Sequence, residues 1–147
     1  MAFLVDPAFF LGLDLPDLSR PQVLEATDDG ENAVLKLRYE FVGSLDPIAQ
    51  RLIGSGRLAW IQEVRVDQTT ATGELLFSAE KEPKRLHGAA QFVLDADGEE
   101  TVRRLDGELV VAVPGIGRMA ERRIVPGLLH RMDIEAQALA DQLAPGA

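Results

Sequence analysis

The sequence predicts an α+β fold, a run of antiparallel strands followed by one long C-terminal helix. Apolar residues recur at every second position through most of the stretch from Gln22 to Val113. After Pro114-Gly115 the apolar period lengthens to about 3.6 residues, the repeat of an amphipathic helix. Turn residues separate the alternating runs, so strands come first and the helix last.

Gln22–Asp28 and Asn32–Phe41 are read as strands joined by Asp29-Gly30, a dipeptide suited to the positive φ of a hairpin turn. In the second strand Ala33, Leu35, Leu37, Tyr39 and Phe41 share one face, and Lys36, Arg38 and Glu40 share the other. Asp46-Pro47 supplies an N-cap and a first helical residue and Gly54 a stop, which predicts a short helix over Pro47–Ile53. Leu58–Asp67 alternates again, with Gln62 among apolar neighbours. Gly73–Glu80 and Arg85–Asp95 follow, the latter with Leu86, Gly88, Ala90, Phe92 and Leu94 on one side. Asp95-Ala96-Asp97-Gly98 turns the chain into Glu99–Val113, where Gly107 marks a bulge or a close backbone approach. The helix stripe is then Ile116, Met119 or Ala120, Ile124, Leu128, Met132, Ala136, Leu139 and Leu143. Pro126 interrupts its hydrogen-bond ladder, and a kink or weakening is expected near Arg122.

At 147 residues, with 46% hydrophobic and 27% charged side chains, one domain over 1–147 is expected. A core of that size needs neither a disulfide nor a structural metal, and the chain contains no cysteine. The net charge of -9 repels phosphate backbones and argues against nucleic acid as partner. Met1–Leu15 is apolar but has no basic leading segment, and no apolar run is long enough to span a bilayer, so a cytoplasmic location is the default expectation.

Several segments together resemble a known group: Leu4-Val5-Asp6-Pro7-Ala8-Phe9, Trp60-Ile61-Gln62-Glu63-Val64, Arg85-Leu86-His87-Gly88, the strand Gly107–Pro114 and the helix segment Ala120–Leu128. They resemble the START-like superfamily, the polyketide cyclase and Bet v 1 group, and within it an uncharacterised bacterial family of the DUF2505 type. The resemblance implies a helix-grip fold, a curved sheet wrapped around the C-terminal helix with a cavity for an apolar ligand between them. It also implies that the first strand and most of the first helix are absent here. Glu99–Val113 would then be an open sheet edge, completed by a second copy in a homodimer or by residues upstream of Met1.

Metal binding finds little support in the pattern. His87 and His130 stand alone, and Asp95, Asp97 and Glu99 mimic a calcium loop with its glycine at the wrong position. Gly115-Ile116-Gly117-Arg118 lacks a phosphate-binding fingerprint, and no serine lies in a Gly-x-Ser-x-Gly elbow, so no catalytic residue, metal or cofactor is assigned. The binding candidates are polar or amphipathic groups among apolar ones: Tyr39, Trp60, Gln62, His87, Gln91 and His130. The function expected is non-catalytic binding of a small hydrophobic molecule. The alternatives are a cyclase or aromatase enzyme using His130 or a carboxylate, and a dimeric interaction module docking through Arg118, Arg122 and Arg123.

Overall fold

The computed structural model describes residues 2–13, 15, 18–41, 59–81, 83–97, 100–112, 115 and 117–143. A 3-10 turn over Ala2–Val5 leads into helix α1 (Pro7–Leu11). The strands are β1 (Gln22–Asp28), β2 (Asn32–Glu40), β3 (Ala59–Asp67), β4 (Thr72–Ala79), β5 (Leu86–Asp97) and β6 (Glu100–Val111), and helix α2 spans Gly117–Leu143. All strands pair antiparallel in chain order, forming one curved open sheet with β1 and β6 at its edges. Each strand lies within two residues of its expected bounds at either end. The predicted helix over Pro47–Ile53 falls outside the described residues.

Local chemistry accounts for the turns. The β1–β2 loop is one residue longer than an Asp-Gly pair: Gly30 alone takes positive φ (91°), and the Asp29 carboxylate accepts from the backbone N–H of Glu31 (2.9 Å) and Asn32 (2.6 Å). Those backbone N–H bonds hold the Asp29 carboxyl below its usual range. Asp6 caps α1 by accepting from Ala8 N–H at 3.0 Å, and the short helix turns Phe9 and Phe10 into the core.

Register places the inward side chains in rows across the sheet. One row reads Leu37, Gln62, Phe77, Gly88 and Leu109; the next reads Leu35, Val64, Leu75, Ala90 and Gly107. The small members of both rows, Gly88, Ala90 and Gly107, therefore fall together on β5 and β6. Gly107 pairs with Ala90 in unbroken register, so it is not a bulge; a Cβ there would collide with the Ala89 carbonyl oxygen and the Ala90 Cβ. The sheet's irregularity lies instead in β1, between Val23 and Glu25.

Three apolar clusters cover the inner face. Phe9, Phe10 and Leu15 pack with Leu35, Leu37, Tyr39 and Trp60 against Ile134, Ala138 and Leu139 of α2. Leu4, Val64, Val66 and Phe92 form a second cluster, and Leu86, Val111 and Ala120 a third that includes Ile124. Each large side chain buried this way is worth roughly 1.5–3 kcal/mol. Helix α2 runs unbroken through Pro126, whose ring leaves the Arg122 carbonyl without its usual helical donor. The outer edge of β6, where a second copy was expected, carries no strand among the described residues. No described helix is long and apolar enough to cross a membrane.

Candidate functional site

The two ends of α2 rest on filled core, at Ala120 and Ile124 near its start and at Ile134, Ala138 and Leu139 farther along. Between these footholds the helix crosses the part of the sheet whose inward positions are Gly88, Ala90 and Gly107. Small residues beneath the helix leave a cavity of about 130 Å³, lined from the sheet by Gln62, Leu75 and Phe77 as well. From the helix come Leu128, Met132, Arg131 and Glu135, while exposed Val125 and Leu129 form its rim.

Two of these lining groups are charged and buried. Arg131 and Glu135 are each 8% exposed, one turn apart on the inner face. Arg131 Nη2 lies 3.8 Å from Glu135 Oε1, and Arg103 Nη2 of β6 lies 3.8 Å from Glu135 Oε2. Both separations exceed the roughly 2.7–2.9 Å of a charge-assisted hydrogen bond. Burial pushes the Glu135 carboxyl up from its ordinary value, and the charges of Arg131 and then Arg103 oppose that shift. The Arg131 guanidinium carbon sits 4.4 Å from the centroid of the Tyr39 ring, a cation–π contact. Arg131 Nη2, the Tyr39 hydroxyl and Trp60 Nε1 are buried with no hydrogen-bond partner among the described residues.

Tyr39 is the chain's single tyrosine, with no solvent exposure. Burial raises its hydroxyl from 10 to about 12, with the Arg131 charge acting in the opposite direction. Because the folded value is the higher one, Tyr39 contributes its full stabilisation below about pH 10 and loses it as pH rises to about 12, a change of about 3 kcal/mol. Phenolate absorbance is expected to show ionisation near pH 12, coincident with loss of fold. Titration near pH 10 in a chain that is still folded would contradict this, and Tyr39→Phe should remove the signal.

The model of a family described as "Protein of unknown function (DUF2505)" matches residues 16–143. The chain belongs to the DUF2505 family. No curated protein matches it. The DUF2505 match spans all six strands and α2, and therefore every residue that lines the cavity.

Of the residues singled out from sequence, this DUF2505 chain brings Tyr39, Trp60 and Gln62 together. Gln62 lines the cavity at 6% exposure, and Tyr39 stacks on Trp60 at 5.9 Å in the adjoining core cluster. His87 and Gln91 alternate with inward Gly88, Ala90 and Phe92, so they are exposed on the opposite face. His87 Nδ1 lies 3.1 Å from the Pro83 carbonyl oxygen. His130 is exposed on the outer side of α2. Arg118 and Arg122 are exposed, and the Arg123 side chain lies outside the described residues.

Arg131, Glu135 and Arg103 were not among the sequence candidates. The stripe expected through Met132 and Ala136 is displaced, since Ala136 is exposed and Met132 only half-buried. A signal for the charged pair does exist. At 3.6 residues per turn Arg131 and Glu135 fall inside the roughly 100°-wide arc that also holds Ala120, Ile124, Leu128, Ala138 and Leu139. No group of His, Cys, Asp or Glu that could hold a metal ion occurs among the described residues.

Proposed function

We propose that this chain is a helix-grip domain of the START-like superfamily that binds a small apolar molecule, without transforming it, in the cavity between its sheet and α2. The observation that carries this reading is the cavity: the inner face is filled on the β2–β3 side by Leu35, Leu37, Tyr39 and Trp60 and left open over Gly88, Ala90 and Gly107. Native interiors are close-packed, and an unfilled apolar space lowers stability. Its volume, about 130 Å³, is near the roughly 150 Å³ of an engineered dry cavity that takes up benzene. Drug-sized ligands occupy roughly 300–1,000 Å³. A ligand about the size of a benzene ring therefore fits, and a long lipid chain does not. Exposed Val125 and Leu129 at the rim offer the entry side.

Ala90→Leu puts a branched side chain into this space from the sheet, and Leu128→Phe narrows it from the helix. Wild-type protein should bind toluene or hexan-1-ol in ligand-observed NMR. Both variants should lose that binding while melting at or above the wild-type temperature. A wild type that binds neither molecule, or folded variants that bind as well as it does, would remove the cavity as a binding site.

A further inference from the structure

We propose that Arg131 is a carboxylate anchor, so that the ligand of this cavity is a compact monocarboxylic acid with its apolar body over Gly88, Ala90 and Gly107. The inference rests on the cavity-binding reading and adds the chemical class of the ligand.

The first support is charge. Two guanidinium groups, Arg131 and Arg103, converge on the single carboxylate of Glu135, one on each oxygen at 3.8 Å. Among the described residues the cluster therefore holds one cation more than it can neutralise when Glu135 is ionised and two when it is protonated. Arginine cannot shed its proton to relieve the imbalance. The other acidic group on the cavity lining, Glu108, is exposed on β6, where solvent screens it. Arg103 is partly exposed and Arg131 is buried, and a positive excess that includes a buried guanidinium beside an apolar space is costly when empty and favours an anion when filled.

The second support is unspent hydrogen bonding. Arg131 has a side chain nine-tenths buried and borders the cavity, yet its Nη2 has no hydrogen-bond partner among the described residues. The Tyr39 ring lies against the guanidinium, with the guanidinium carbon 4.4 Å from its centroid. An aromatic ring against that group restrains it beside the cavity, and a ligand acceptor reaches its buried Nη2 by a small shift of the side chain. The planar edge of a guanidinium carries parallel N–H donors whose spacing matches the two oxygens of a carboxylate, which a point-like ammonium cannot reproduce.

The third support is size and polarity. The rest of the lining is largely apolar, with Gln62 from the sheet as a further polar group, and the space of about 130 Å³ admits a body of about six carbons. Benzoate and hexanoate meet these limits and serve as the probes.

Calorimetric titration of the intact chain compares benzoate and hexanoate with their uncharged counterparts, benzyl alcohol and hexan-1-ol. Each acid should bind the wild type at least tenfold more tightly than its alcohol. In Arg131→Met the acids should lose at least tenfold while the alcohols bind as before, and in Arg131→Lys the acids should be recovered only in part. Far-ultraviolet circular dichroism establishes that each variant is folded; if Arg131→Met does not fold, the wild-type acid-to-alcohol ratio with Arg131→Lys decides alone. Alcohols that bind as tightly as acids, or an acid preference that survives Arg131→Met, would overturn the anchor and leave the cavity reading standing. If neither acids nor alcohols bind the wild type, both readings fall.

Discussion

The double variant Arg131→Met/Glu135→Leu is expected to be more stable than the wild type, by roughly 1–4 kcal/mol in urea unfolding. Both side chains are 10% exposed and sit 3.8 Å apart, so each has given up water for an ion pair too long to be a hydrogen bond. Met and Leu are good helix formers and place apolar atoms against Ala90, Phe77 and Leu128, the neighbours already lining the space. Single changes should behave differently. Glu135→Leu leaves the Arg131 cation buried without its counter-charge and should cost about 3–5 kcal/mol. Arg131→Met leaves a carboxyl that can accept a proton, so its cost should shrink as pH falls. In the wild type the folded value of Glu135 is raised, so its contribution is fully present below about pH 4.5 and is lost as pH rises through the folded value. Urea unfolding of all four proteins at pH 5 and pH 8 measures each of these differences. A double variant less stable than the wild type at both values would mean that the pair holds the fold together. In that case its retention would need no ligand to explain it. The expected gain instead fits a site that gives up stability for binding.

Trp60→Ala should lower stability by about 3–5 kcal/mol, the largest loss expected of a single core substitution here. The indole is 6% exposed, stacks on Tyr39 at 5.9 Å, meets Phe77 at 5.7 Å and closes the cluster around Phe9, Phe10, Leu35 and Leu37. Trp60→Phe keeps much of that packing, and its loss of the indole N–H breaks no hydrogen bond recorded among the described residues. The cost of Trp60→Phe should therefore be smaller, and because the ring does not line the cavity, affinity for hexan-1-ol should change by less than about twofold. Thermal unfolding and the same titration are enough to measure both. Loss of binding in a Trp60→Phe variant with an unchanged melting temperature would make Trp60 a direct ligand contact.

The contrast between Trp60 and Arg131 shows where sequence reasoning reached its limit. Alternation in β2, β3 and β5 identified the inner face, and it already put His87 and Gln91 on the side opposite Gly88 and Ala90. For those two residues the phase of the strand, and not the side-chain chemistry, determines position. Gln62, a polar side chain in phase with Trp60 and Val64, could be read as inward, and it lines the cavity. Charged groups are mostly exposed, so an apolar pattern does not mark Arg131 and Glu135 as inward although the helical arc includes them. The N-terminal plug of Phe9 and Phe10 carried no periodic signal, since α1 is only five residues long.

From the sequence alone come the six strands, the long helix and the inner face of β2, β3 and β5, because these follow from backbone periods of about 2 and 3.6 residues acting locally. Tertiary structure alone decided which arc of α2 meets the sheet. Two overlapping stripes run along that helix, one through Met132 and Ala136 and one through Arg131 and Glu135, and they differ by a fraction of a turn. The choice is made by the footholds at either end, where Ala120 packs on Leu86 and Val111, and Ala138 and Leu139 pack on the cluster built from Phe10, Tyr39 and Trp60. Those contacts join residues far apart in the chain. Once they set the helix's rotation, Arg131 and Glu135 are carried inward over Gly88, Ala90 and Gly107, and the small residues that could have received a helix backbone border a charged cavity instead.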